Sequence, residues 1–382
     1  MRRPRLLLTA LLASLALIAA FLAACGGGKS GPPAAELLDA AMRPGPYGVG
    51  VTTIELVDTS RPTEPNGDVP GSDERKLPIE VWYPADPTAE QPEARDAALV
   101  GGGGPYPLII VAHGLSANRR LYASYGQHLA SHGYVVAAPD FPSSNLLTPG
   151  GPRLNAVLEQ PEDVSFVIDQ MLAFSEQSGH ILEDAVDPEE IGMTGHSLGA
   201  LTTMLAIYGA DRDDRIKAAL PVSTVGCFLP DGFSGETSVP VMAVVGTNDL
   251  ITPPVTADRG YAGANPPRYL VHIRGADHTR FADVDITDEM LEANGGVGAV
   301  IGSTFVSDAV ETAQALGGDA MVCLDDGPGA TDPPVTGARQ RELLRTVAVP
   351  FFDAYLHGDQ ASKKLLPKLP DLLQGITVQA DP

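Results

Sequence analysis

Short continuous apolar runs recur through the middle of the chain. They lie at 106–114, 134–140, 191–197, 216–223, 239–246 and 268–275. A strand that is apolar at consecutive positions is covered by other elements on both faces, which is typical of parallel sheets. The pattern therefore predicts six buried, mostly parallel strands.

Segments with a helical pattern separate these runs. Helices are expected over 119–133, 162–179 and 198–210, and a late amphipathic helix over 341–359. Strand and helix in alternation imply right-handed crossovers and a doubly wound sheet. Before the first run, "VGVTTIELVD" and "KLPIEVWYPAD" flank a turn-rich stretch and predict an antiparallel hairpin. The expected fold is thus α/β: a doubly wound, mostly parallel sheet with an antiparallel N-terminal hairpin and helices on both faces.

The segments before the first strand, and one stretch that fits no strand, suggest the domain organisation. Residues 1–24 combine a basic start, an apolar stretch and small residues, which predicts a signal peptide; a transmembrane anchor is the alternative. Residues 25–45 begin with "CGGGKSGPPAAE" and predict a flexible tether. The remainder, 46–382, is expected to be a single domain with an insertion at 282–340, where the sequence fits no strand.

The signal ends in "LAAC", which resembles the lipobox of bacterial lipoproteins. That resemblance implies that Cys25 is lipidated and holds the mature protein at a membrane by acyl chains. The other two of the three cysteines, Cys227 and Cys323, form an even pair in an exported protein. We therefore expect a disulfide between them.

Charge narrows the range of partners. The chain has 48 acidic and 25 basic residues, a formal net charge of −23, and loss of the leader would remove three arginines. Such a body repels nucleic acid and anionic lipid head groups. Neither is expected to bind it, so any membrane contact would be through the lipid anchor alone.

The motif "GHSLG", Gly195 to Gly199, lies between a predicted strand and a predicted helix. This context is that of a nucleophile elbow, in which a strained turn exposes the serine hydroxyl above the sheet. Side chains at 195 and 199 would collide with neighbouring backbone. Ser197 is therefore the candidate nucleophile, and the alternative is a simple helix cap.

A serine nucleophile needs an imidazole base and a carboxylate that orients it. Of the eight histidines, His278 follows the last predicted strand, where the order serine, acid, histidine places the base. Asp249 follows the preceding strand and is the candidate acid. Asp277 is adjacent to His278, but neighbouring side chains in an extended or turn segment diverge. Asp277 is therefore expected to shape the loop or to be solvated, and not to orient His278. The remaining histidines are expected to be structural or solvated.

The negative oxygen of a tetrahedral intermediate needs preorganised donors. The expected donors are the backbone N–H groups of Leu198, just after the nucleophile, and Leu115, in the loop after the first apolar run.

Together these residues resemble the α/β-hydrolase superfamily over about residues 46–285 and the last helix. The stretch "LIIVAHGLSANRRLYASYGQHLASHGYVVAAPD", followed by "GHSLG", is similar to the platelet-activating-factor acetylhydrolase group and its dienelactone-hydrolase-like relatives. The resemblance implies a serine esterase without metal or cofactor.

The sequence differs from the acetylhydrolase group in the position of the candidate acid. Plasma-type acetylhydrolases have their acid after the strand that here reads "IKAALPVSTVG", which offers no carboxylate. The segments "GTNDLITPP" and "GADH" instead resemble bacterial polyester hydrolases and cutinase-like enzymes, whose acid lies one strand later, at Asp249. Leu115 and Leu198 stand where those enzymes usually have Tyr and Met.

The sequence therefore predicts an exported, lipid-anchored, serine-dependent carboxylic ester hydrolase that acts on an ester or lipid-like ester outside the cytoplasm. An acyltransferase or a serine peptidase would use the same three residues. A binding lipoprotein without catalysis is a further alternative.

Overall fold

The computed structural model describes residues 33–86, 93–101, 104–285, 303–324 and 332–382. The predicted signal peptide and the predicted lipidation site, Cys25, lie outside these residues. So does part of the predicted insertion. From Ala34 to Pro382 the chain forms one compact unit.

The described strands belong to a single mixed sheet. They are β1 (Gly48–Asp58), β2 (Arg75–Ala85), β3 (Ala94–Arg95), β4 (Tyr106–Ala112), β5 (Val135–Pro139), β6 (Val186–His196), β7 (Ile216–Val222), β8 (Val241–Gly246), β9 (Arg268–Ile273) and β10 (Ile376–Asp381). Their order across the sheet is β10-β9-β8-β7-β6-β4-β5-β2-β1-β3.

Strands β4 to β9 pair in parallel with one another. β1 and β2 form the predicted antiparallel hairpin, and β2 runs antiparallel to β5. Strands β4 and β6 are neighbours in the sheet. The chain continues from β4 to β5 on one side of this pair and from β6 to β7 on the other, so the loops at the carboxyl ends of β4 and β6 diverge. Such a switch point opens a crevice at the carboxyl edge of the sheet, where ligands bind in open α/β sheets.

Helices cover both faces of the sheet. They are α1 (Ala34–Met42), α2 (Ala123–Ser131), α3 (Gln160–Glu176), α4 (Leu198–Tyr208), α5 (Pro254–Gly263), α6 (Ser303–Ala315), α7 (Met321–Leu324), α8 (Gly337–Tyr355), α9 (Gln360–Leu365) and α10 (Leu369–Leu372). Short 3-10 turns occupy Arg119–Tyr122, Leu154–Leu158, Gly226–Phe228, Thr279–Phe281 and Leu366–Lys368.

The two faces of β4 show why its sequence is continuously apolar. Ile109 and Val111 point into a core that includes Phe351 of α8. Ile110, on the opposite face, belongs to a second core with Val167 of α3. Both faces are buried, as expected for a central parallel strand. The predicted fold class is confirmed.

The predicted tether is wrong over part of its length, since residues 34–42 form α1. Leu38 and Ala41 lie three positions apart, so they share one face of the helix, and both are buried in the core beside α8. Good helix formers with apolar residues at this spacing favour a docked helix over a flexible linker.

Several elements were not predicted. Strand β10 adds an antiparallel edge to β9, α5 follows the loop that carries Asp249, and the segment 282–340 contains α6 and α7. None of the helices in the described ranges has the length and apolar character needed to cross a membrane.

Candidate active site

The turn between β6 and α4 holds Ser197 in a strained conformation. Its φ and ψ are 57° and −117°, a region that non-glycine residues rarely adopt and that is found at functional sites. A Cβ on Gly195 would lie 2.2 Å from the carbonyl oxygen of Gly199, and one on Gly199 would lie 2.1 Å from that of Ala112. The turn therefore requires glycine at both positions.

The structure brings the three predicted side chains together. The Nε2 atom of His278 lies 2.9 Å from Oγ of Ser197. Its Nδ1 atom lies 2.9 Å from Oδ2 of Asp249. Because a carboxylate only accepts, Nδ1 carries the proton, and Nε2 is free to accept a proton from the serine hydroxyl.

The carboxylate of Asp249 is buried and accepts several hydrogen bonds. The backbone N–H groups of Ile251 and Thr252 donate to Oδ1, at 3.0 and 2.7 Å, and the Thr252 hydroxyl donates to Oδ2 at 2.9 Å. Burial raises the pKa of Asp249, but the facing His278 and these hydrogen bonds outweigh it and leave the pKa below its usual value. The acid stays ionised and can stabilise a protonated His278.

Asp277 does not take part in this arrangement. Its Oδ1 atom accepts the backbone N–H groups of Thr279 and Arg280, each at 3.0 Å, and its Oδ2 atom pairs with the Arg280 guanidinium at 3.0 Å. It shapes the 3-10 turn that follows His278.

The two predicted oxyanion donors lie on either side of Ser197. Leu198 is the first residue of α4. The loop after β4 is close by, since a Cβ on Gly114 would lie 3.4 Å from that of Ser197. Within the described residues, neither the N–H of Leu115 nor that of Leu198 has a protein acceptor. Both lie in the cavity wall, where free donors can receive a ligand oxygen.

His113 fixes the loop that carries Leu115. It is fully buried, and its Nε2 atom accepts the N–H of Phe141 at 3.0 Å. Its Nδ1 atom therefore donates to the carbonyl of Gly114 at 2.8 Å. Burial lowers the pKa of His113, so the ring stays neutral and keeps this pattern.

A buried hydrogen-bonded bridge links the three loops around Ser197. The N–H of Gly114 donates to the hydroxyl of Tyr122 at 3.2 Å. That hydroxyl lies 2.9 Å from Nδ1 of His196, and Nε2 of His196 donates to the carbonyl of His278 at 2.9 Å. The Tyr122 hydroxyl is therefore the donor to His196. The sequence predicts only that His196 is structural or solvated, and it does not indicate this bridge because the partners are distant in the chain.

The end of the insertion is fastened to the loop that carries Asp249. Thr247 donates its hydroxyl to Oδ2 of Asp332 at 2.7 Å, and Asn248 donates its side-chain amide to the carbonyl of Asp332 at 2.8 Å.

The chain before α7 lies beside the first cysteine of the predicted pair. The backbone N–H of Asp319 donates to the carbonyl of Cys227 at 2.9 Å, which brings the chain before α7 to this cysteine. Cys323 lies in α7, but its side chain is outside the described residues. The disulfide stays a prediction.

A cavity of about 330 Å³ opens at Ser197. Its walls come from the loop after β4, from α4, from the turn Gly226–Phe228, from the His278 loop and from the insertion. In the described part of the chain, no group of three His, Cys, Asp or Glu side chains is arranged to hold a metal ion.

The fold is shared with solved enzymes. A ferulic acid esterase from Streptomyces cinnamoneus superposes with a TM-score of 0.58 and 22% identity, over 87% of this chain and 96% of that chain. The chain has the α/β-hydrolase fold. The β6–α4 elbow carries Ser197, and the loops after β8 and β9 carry Asp249 and His278, in the chain order serine, acid, histidine.

Sequence comparisons also find similar proteins, over shorter stretches of the chain. Residues 87–145 match a family model described as platelet-activating factor acetylhydrolase, isoform II. A platelet-activating factor acetylhydrolase from Canis lupus familiaris is 23% identical over 224 residues, which is 48% of this chain and 50% of that protein. Chlorophyllase-1 from Citrus sinensis is 24% identical over 137 residues, 36% of this chain and 41% of that protein. The match therefore spans about half or less of each of these relatives.

Proposed function

We propose that the protein is a serine-dependent carboxylic ester hydrolase. The observation that carries the proposal is the position of His278, which lies 2.9 Å from Oγ of Ser197 through one ring nitrogen and 2.9 Å from Asp249 through the other. The names of the similar proteins, an acetylhydrolase, a chlorophyllase and a ferulic acid esterase, support an ester as the substrate.

The geometry suits an acyl-enzyme mechanism. As Ser197 Oγ attacks the ester carbonyl carbon, its proton passes to Nε2 of His278 and the carbonyl oxygen becomes negative. The N–H groups of Leu115 and Leu198 would hold that oxygen. When the tetrahedral species collapses, the alcohol leaves with the proton from His278, and the acyl group stays on Ser197. Water, deprotonated by His278, then releases the carboxylic acid and restores the serine.

Hydrolysis of p-nitrophenyl esters tests this proposal. The wild-type protein is expected to release p-nitrophenol, and Ser197→Ala to lose this activity by several orders of magnitude while retaining the wild-type melting temperature. Absence of hydrolysis by the wild type, or full activity in Ser197→Ala, would refute it. An acyltransferase supplied with an added alcohol would instead form mainly the ester of that alcohol, and a peptidase supplied with a peptide would cleave its amide bonds.

The site of action is also a proposal. The basic and apolar leader and the "LAAC" sequence support export and lipidation at Cys25. In the native cell, wild-type protein should fractionate with membranes and Cys25→Ala should not. Equal distribution of the two would exclude the anchor.

A further inference from the structure

The cavity at Ser197 includes an apolar region. There it is walled by Leu198 and Leu201 of α4, by Phe228, and by Ala309 and Ala320 of the insertion. These five residues belong to one hydrophobic cluster, in which each is less than a tenth exposed. This end of the cavity, which we term the apolar end, is therefore enclosed by protein.

The lining excludes a charged ligand group. None of the cavity's described lining residues is Asp, Glu, Lys or Arg, so a carboxylate or ammonium buried there would have no partner. Transfer of an unpaired charge into such a site costs far more than burial of methylenes gains. A volume of about 330 Å³ is at the small end of the range for ligand sites, roughly 300 to 1,000 Å³.

The chemistry of the site decides which part of an ester lies in the apolar end. The departing alcohol oxygen must lie beside Nε2 of His278, which supplies its proton, and the carbonyl oxygen must face the N–H groups of Leu115 and Leu198. The remaining substituent on the carbonyl carbon is the acyl chain. It points away from His278, whose own loop lines the cavity with Ala282 and Val284 of a different hydrophobic cluster. The apolar end, which begins at Leu198 beside Ser197, is therefore the part of the cavity that suits the acyl chain.

We propose that the apolar end is the acyl site for uncharged aliphatic esters, and that Ala309 and Ala320 of the insertion limit the length of the acyl chain. This inference rests on the proposed ester hydrolysis at Ser197. The small side chains of Ala309 and Ala320 leave room for the acyl chain, and larger side chains there would shorten the chain that fits. The insertion would therefore determine the acyl-chain specificity, although it carries none of the three residues Ser197, Asp249 and His278.

The substitutions Ala309→Leu and Ala320→Leu test the inference with p-nitrophenyl esters from acetate to dodecanoate. In each variant the ratio of kcat/KM for octanoate to kcat/KM for acetate should fall at least tenfold relative to wild type. The matched control is Ala315→Leu, which adds the same group at an exposed position of the same helix. It should leave the ratio unchanged. Ala309→Val provides a smaller change if the leucine variants fail to fold.

Separate substrate arms distinguish the acyl and alcohol portions. Acetate esters of alcohols of increasing length should give the same length profile in wild type and variants. A profile that changes with the alcohol and not with the acyl chain would overturn the assignment. An unchanged octanoate-to-acetate ratio in a folded, active variant would also overturn it, whereas a wild type inactive on every ester would instead refute the proposed function.

Discussion

Single residues at the site differ in role according to their hydrogen-bond partners, even when they are neighbours in sequence. Asp277 is adjacent to His278 but accepts the N–H groups of the turn that follows. Asp249 is far upstream and contacts Nδ1 of the ring. His196 precedes Ser197 yet points away from it, toward Tyr122 and the carbonyl of His278.

The first prediction compares the two aspartates. Asp249→Asn should lower kcat for ester hydrolysis by on the order of 10³- to 10⁴-fold, because an amide can donate to Nδ1 and favour the wrong tautomer of His278. Asp277→Asn keeps an oxygen that can cap the turn and should change kcat less than about tenfold. Steady-state kinetics of the two variants measures the contrast. Equal losses would mean that Asp249 is not the orienting acid.

The second prediction concerns His196 and pH. Burial, reinforced by the nearby His278, lowers the pKa of His196 to about 3. In the unfolded chain the ring titrates near 6.5, so below that pH the unfolded state binds a proton that the folded state does not. The contribution of His196 to the free energy of unfolding is thus fully present above pH 6.5 and falls on acidification, by about 2 kcal/mol between pH 7 and 5.

Denaturant unfolding at the two pH values measures this contribution. His196→Asn lacks the titrating ring, so its free energy of unfolding should fall by about 2 kcal/mol less than that of the wild type. The same decrease in both proteins would show that the His196 ring is not held neutral in the fold.

At the scale of elements, β6, the elbow and α4 form the unit that creates the site. The strand delivers Ser197 to the carboxyl edge at the switch point between β4 and β6. The helix then begins immediately, at Leu198. Close approach of Gly199 to the backbone of Ala112 joins this unit to β4 and to the loop that carries Leu115.

The third prediction tests that approach. Gly199→Ala would place a Cβ 2.1 Å from the carbonyl oxygen of Ala112, so the helix or β4 must move. We expect a loss of about 2 to 4 kcal/mol in stability, comparable to other overpacked or strained core sites, and a large loss of activity. Thermal unfolding is the measurement. Gly101→Ala is the matched control, because nothing lies within 4 Å of its added Cβ; similar destabilisation in both variants would contradict the steric argument.

At the scale of the whole molecule, the insertion connects distant parts of the fold. Its α6 packs in the cluster with α4 and with the turn at Cys227, while Asp332 near its end fastens to Thr247 and Asn248. The insertion therefore contacts both the apolar lining of the cavity and the loop that carries Asp249.

The fourth prediction is the Cys227 to Cys323 disulfide. The hydrogen bond from Asp319 to the Cys227 carbonyl brings the chain four residues before Cys323 to this site. A peptide map without reductant should show the two cysteine peptides linked. On the chain-entropy model a loop of roughly 100 residues stabilises by about 4.7 kcal/mol, so Cys323→Ser should lower the unfolding free energy by up to that amount under oxidising conditions. Two free thiols in the oxidised protein would disprove the link.

The sequence by itself determined the central sheet, the N-terminal hairpin and the elbow. These depend on local information: continuous apolar runs, alternating positions, and glycines two residues on either side of Ser197. The order of Ser197, Asp249 and His278 along the chain was also readable, since each follows a strand whose apolar pattern is distinct.

Only the tertiary structure decided the rest, because it depends on contacts between residues far apart in sequence. The docking of α1 requires a core that other elements build, and strand β10 forms on the edge that β9 provides. The bridge from Gly114 through Tyr122 and His196 to His278 joins three loops that no local pattern connects. The apolar end of the cavity likewise exists because α6 packs against the turns Leu154–Leu158 and Gly226–Phe228 and shares a hydrophobic cluster with α4, and none of these elements carries that information alone.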